Sequence, residues 1–129
     1  MINKKFIVPI YESTVRLFIG NPEELQEYFS EIFGKYYSAD LVNKFNLNEC
    51  CGKVADLEDG SYLIWLPYTP TTFQENGTLN HEIFHLAVSI LLGRNIPLNK
   101  DTEEAVAYLI GYLTKEILEM LGNDSEKWH

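Results

Sequence analysis

The sequence predicts an α+β domain, and three observations predict it. Strand-like and helix-like runs follow one another in the order β-β-α-(α)-β-β-α-α, without the regular βαβ alternation of a parallel sheet. The 129 residues suit one domain, 1–129, with no internal repeat, low-complexity tract or linker. A composition of 46% hydrophobic and 13% aromatic residues supplies a packed core and excludes a disordered chain.

The first run, "KKFIVPIYESTVRLFIG", reads as two short strands around "ESTV". Val15, Leu17 and Ile19 alternate with Arg16 and Phe18, a period of two. Gly20, Asn21 and Pro22 stop the second strand. "NPEELQEYFSEIFG" then carries helix punctuation: Asn21 as N-cap, Pro22 at the first helical position, Glu23 and Glu24 in the first turn and Gly34 at the end. Leu25, Tyr28, Phe29 and Ile32 make its apolar stripe. A short helix near Ala39 to Phe45 is the bracketed element. "GKVADLEDGSYLIWLP" reads as a β-hairpin turning at Asp59-Gly60, with Pro67 and Pro70 ending its second strand. "YTPTTFQENG" is expected to be a loop, with Thr78 as the N-cap of a helix that stops at Gly93. "RNIPLN" leads to a last helix over roughly 102–121, and the tail, 122–129, is expected to fray.

A formal net charge of -9 removes the excess of Lys and Arg that tracking a nucleic-acid backbone requires, so no nucleic-acid partner is expected. An acidic surface suits basic or neutral partners. The N-terminus opens with lysines and the apolar run "FIVPI", but that run is too short for a signal peptide, and Glu12 and Arg16 interrupt the next stretch. No window approaches the roughly 18 apolar residues of a membrane span. The expectation is a soluble cytoplasmic protein with no membrane association. Cys50 and Cys51 are adjacent, a geometry strained for a disulfide. They read as two thiols in a loop or at a strand start, with a redox or metal role as the other reading.

The chemistry concentrates in "HEIFH", His81 to His85. Two histidines four residues apart share one helix face, so both imidazoles can reach one Zn2+ ion. Glu82 projects from the same helix and can act as general base toward a water molecule. The plain alternative is two histidines on a packed helix. A hydrolytic zinc needs a third protein ligand. The start of the last helix offers Glu103 and Glu104. Ala107, Tyr108, Gly111 and Tyr112 read as the inward face of that helix, which places Glu104 inward and Glu103 toward solvent, the alternative ligand. Gly111 is expected to mark a close approach of the last two helices, simple tolerance being the other reading. Tyr108 and Tyr112 are either packing aromatics or phenols that stabilise an oxyanion. Trp65 reads as core or edge cover rather than a substrate platform.

"HEIFH" followed by "EAVAY" resembles the gluzincin pattern, and "GTLNHEIFH…EEAVAYLIGYL", 77–113, resembles small zincin-like proteins encoded by phages and prophage regions. The resemblance implies a minimal zincin-like fold with its metal-binding core in 77–113. It implies His81, His85 and Glu104 as zinc ligands, Glu82 as general base and metallopeptidase activity. It also implies a peptide or protein substrate along "SYLIWLP", 61–67, as the sheet edge. Two departures stand out. Tyr108 occupies the position where some gluzincins carry an aspartate that supports a zinc-bound histidine, which leaves Asp101 or a backbone carbonyl for that task. The chain also has no evident second lobe. The contrasting expectation is a metal-stabilised, non-catalytic module for protein binding or assembly; a metal-free fold is a third.

Overall fold

The computed structural model describes residues 1–34, 51–57 and 59–122. Among the described residues the fold is α+β: a four-stranded mixed sheet and three helices. β1 (Ile2–Val8) and β2 (Ser13–Ile19) form an antiparallel hairpin whose turn places Glu12 in the left-handed region, at φ 50°. α1 (Pro22–Phe33) comes next. β3 (Lys53–Asp56) and β4 (Tyr62–Leu66) form the second hairpin. α2 (Phe73–Leu92) and α3 (Glu103–Leu121) complete the order, with a 3-10 turn at Lys100–Thr102 between them. The expected helix near Ala39 to Phe45 and the tail beyond Gly122 lie outside the described residues.

The strand order is β1-β2-β4-β3, and the central pair, β2 and β4, runs parallel with Val15 opposite Tyr62 and Ile19 opposite Leu66. This corrects the expectation that 61–67 is a sheet edge. β4 is an inner strand, and among the described residues β3 is the edge on that side. The physical reason lies in the burial of the strand. "LIWL" has no polar alternation, because Ile64 and Leu66 face one side while Leu63 and Trp65 face the other, and all four are buried.

Two cores result, one on each face of the sheet. On one face Val15, Leu17, Ile19, Ile64 and Leu66 pack under α2 and α3. On the other, Phe18, Leu63 and Trp65 pack under Leu25 and Phe29 of α1. Trp65 is fully buried and its Nε1–H donates to the Gly20 carbonyl at 2.8 Å, a core role.

Helix caps decide where the helices begin. Asn21 and Glu24 form a reciprocal capping box on α1, as the sequence pattern indicates. α2 starts earlier than expected: its N-cap is Thr72, whose hydroxyl accepts from the Glu75 N–H while Glu75 accepts from the Thr72 N–H. This overturns the assignment of Thr78 as N-cap. The box Thr72-x-x-Glu75 satisfies orphan donors that Thr78 would leave bare, and Gly77 is carried inside the helix.

α3 corrects a third expectation. Its buried stripe is Val106, Leu109, Leu113 and Ile117, not Ala107, Tyr108, Gly111 and Tyr112. Ala107, Tyr108 and Gly111 are exposed, and a Cβ added at Gly111 would meet nothing within 4 Å, so no close helix approach occurs there. The branched aliphatic residues win the core because they pack apolar surface without a hydroxyl to satisfy.

Candidate functional site

α2 turns Leu79, Ile83, Leu86, Ala87, Ile90 and Leu91 into the core. At 100° per residue, that leaves His81 and His85 on an exposed flank and Glu82 at the border between flank and core. Glu82 retains 8% of its accessible surface. Among the described residues its carboxylate is engaged by no hydrogen bond or ion pair. The Nε2 atoms of His81 and His85 stand 3.1 Å apart, with the rings nearly perpendicular at 78°. Phe84 lies edge-on to His85, at 5.9 Å between ring centres.

The edge strand passes beside this flank. Lys53 and Val54 of β3 line a cleft of about 200 Å³ together with Glu82, His85 and Ser89 of α2. Gly52 makes the close passage possible: a Cβ there would stand 2.9 Å from Leu66 Cδ2 and 3.2 Å from Glu82 Cγ. A second cleft of about 270 Å³ continues along the N-terminal turns of α2, lined by Cys51, Leu66, Tyr68, Pro70, Thr72, Gln74, Glu75 and Thr78. Thr78, Glu82, His85 and Ser89 recur at one-turn spacing, so the two clefts lie along one stripe of the helix.

No protein-family model, curated protein or solved structure matches this chain.

The structure pairs His81 with His85 and sets His85 and Glu82 on one cleft with Lys53 and Ser89. Gly52 and Lys53 were not singled out from the sequence. The only signal for them was a glycine immediately before a strand, which here marks a close backbone approach. The remaining predicted residues are placed elsewhere. Among the described residues, no group of three or more His, Cys, Asp or Glu side chains is gathered as a metal site, so neither Glu103 nor Glu104 joins the histidine pair. Both glutamates are exposed at the start of α3. On the observed stripe Glu104 falls about 180° from its centre and Glu103 about 75°. Glu104 shares its face of α3 with Tyr108 and Gly111, and both face outward.

Tyr108 and Tyr112 line a different, apolar cleft, with Val8, Pro9, Ile10, Tyr11 and Leu109 at the β1–β2 turn. Burial first, then the Glu116 and Glu119 carboxylates, raise the Tyr112 phenol above its ordinary value. It is protonated at neutral pH, but the structure does not bring it to the Glu82 cleft. Cys51 is exposed, and Cys50 and His129 lie outside the described residues.

Proposed function

We propose that this chain is a small zincin-like metallopeptidase in which His81 and His85 hold Zn2+ and Glu82 is the general base. The observation that carries the reading is the convergence of the two Nε2 atoms at 3.1 Å, beside a carboxylate bordering a cleft. Two imidazole nitrogens bound to one tetrahedral zinc at ~2.0–2.1 Å stand roughly 3.3 Å apart, close to this pair. Without a metal the same contact is a hydrogen bond in which one ring's Nε2–H donates to the bare Nε2 of the other, its direction set by the tautomers.

Zinc held there supplies Lewis acidity and lowers the pKa of water at the site. Glu82 takes a proton from the attacking water and returns it to the leaving amine as the peptide bond breaks. Glu82 is buried beside Gly52, just before β3, and lines the cleft. A third ligand from the Glu103–Glu104 pair would require the first turn of α3 to move toward the histidines when the metal binds, since neither glutamate is gathered with them among the described residues. The motif resemblance favours Glu104, and the observed face of α3 sets Glu103 nearer the packed flank. An extended substrate would lie along β3, the edge strand, rather than along 61–67.

Replacement of Glu82 by Gln tests the mechanism. Hydrolysis of an unstructured protein substrate is expected to fall by about 10²–10⁴-fold, while zinc binding is retained; turnover that survives in Glu82→Gln contradicts it.

The second reading, a metal-stabilised module for protein binding or assembly, is favoured by one observation: among the described residues no third donor is gathered with the histidine pair. It predicts zinc binding that strengthens when a partner is present, without hydrolysis in either state.

A further inference from the structure

The cleft at the N-terminal turns of α2 has walls of two kinds. Leu66, 2% exposed, belongs to its apolar side with Tyr68 and Pro70. Its polar side is Thr72, Gln74, Glu75 and Thr78, and among the described lining residues Glu75 is the one carboxylate. That carboxylate is held in place. Its Oε1 accepts from the Thr71 N–H at 2.9 Å, the Thr71 hydroxyl at 3.1 Å and the Thr72 N–H at 3.2 Å. The Thr71 N–H above all, joined by the Thr72 N–H and the threonine hydroxyls, outweighs the opposing effect of burial and holds Glu75 below the usual carboxylate range, so it is anionic at neutral pH.

Apolar walls ending at a fixed anion suit one kind of side chain: a long aliphatic stem with a cationic head. The stem would lie on Leu66 and Pro70, and the head would meet Glu75 with the Tyr68 ring at hand. A volume of about 270 Å³ is below the range of sites that enclose whole small molecules, and fits a single side chain. Glu75 and Glu82 are seven residues apart on one helix face, about 10 Å along the axis. An extended peptide advances ~3.3 Å per residue. A side chain in this cleft therefore belongs to a residue some two or three positions from whatever lies at Glu82. The formal net charge of -9 favours approach of a basic segment.

We infer that this cleft is a specificity subsite for a lysine or arginine side chain of a peptide bound along α2 and β3, with Glu75 as its selecting residue. The inference rests on the reading of the groove as a peptide cleft, but not on hydrolysis.

The test is competition binding to the full chain. The probes are alanine–glycine octapeptides, each with one lysine at a different position, beside matched acetyl-lysine and glutamate versions. Wild-type protein, Glu82→Gln and Glu75→Gln are compared. The Glu75→Gln substitution keeps a side-chain oxygen able to cap α2, and circular dichroism checks the helix. At one lysine position, wild type and Glu82→Gln should prefer lysine over acetyl-lysine by about fivefold, the scale of an accessible ion pair. Glu75→Gln should lose that preference. A preference that persists in Glu75→Gln overturns the inference, as does equal binding or no binding of all the peptides to wild type. Selective binding by a protein that cleaves nothing would remove the peptidase reading and leave the subsite standing.

Discussion

Asp59 shows how a single side chain ties the second hairpin to the first. Arg16 on β2 reaches its carboxylate at 3.1 Å, and Arg16 also donates to the Ser61 and Tyr28 hydroxyls. The Ser61 N–H donates to the other carboxylate oxygen at 3.0 Å. Burial alone pushes Asp59 up, but the Ser61 and Arg16 contacts outweigh it and hold the carboxyl below its usual range. A depressed folded-state pKa contributes stability that is present above the unfolded pKa and lost as pH falls through the folded one. Acid titration of the unfolding midpoint should therefore show a steeper loss below the ordinary aspartate range in wild type than in Asp59→Asn. Superimposable acid limbs would remove this role. The motif residues were the most legible feature of the sequence, since His81, Glu82 and His85 depend only on local helix geometry. Their neighbours Gly52, Lys53 and Ser89 were not, because the approach of β3 to α2 is a tertiary fact that no local spacing encodes.

At the scale of elements, glycine and caps carry the checkable consequences. Gly111 lies inside α3, exposed, with open space where a Cβ would stand. Gly111→Ala is expected to raise stability by up to about 1 kcal/mol, read from urea denaturation; a loss of stability would restore a packing role for that glycine. Thr72→Ala removes the hydroxyl that caps α2 and should cost about 1 kcal/mol. If Thr78 were the true cap, Thr72→Ala would be neutral and Thr78→Ala costly. The order of the described elements and the second hairpin were legible because turn and cap residues are local signals. The N-terminus of α2 was misread because Asn76-Gly77 looks like loop punctuation, while the stronger box at Thr72 and Glu75 lies upstream. The inward face of α3 was misread because aromatic and aliphatic residues alternate around the helix. Only the presence of two cores decides which residues are buried.

For the molecule as a whole, the sheet sits between α1 on one face and the α2–α3 pair on the other, and the inner strand β4 buries apolar side chains on both faces. No helix among the described residues is long and apolar enough to cross a membrane. The sandwich leaves β3 and one flank of α2 open toward each other, and this is where His81, Glu82 and His85 lie. A ligand that binds only the folded state raises stability by about 2.7 kcal/mol at a hundredfold excess over its dissociation constant. Zinc should thus raise the thermal midpoint of wild type and leave His81→Ala unchanged. The inner position of β4 was not legible from its sequence alone. A run of strand formers before a proline looks the same at an edge or in the middle, until β2 is found pairing parallel to it.

The measurement that bears most directly on the central claim is zinc stoichiometry by elemental analysis of tag-free protein after incubation with the metal and removal of the excess. Wild type is run beside His81→Ala, His85→Ala, Glu82→Gln, Glu103→Ala and Glu104→Ala. The account predicts one zinc per chain in wild type and Glu82→Gln, its loss in both histidine variants, and its loss or weakening in one of the two α3 glutamate variants. Wild type without zinc, or histidine variants that hold it as wild type does, would contradict the account and leave the pair as a histidine–histidine hydrogen bond on an exposed helix flank.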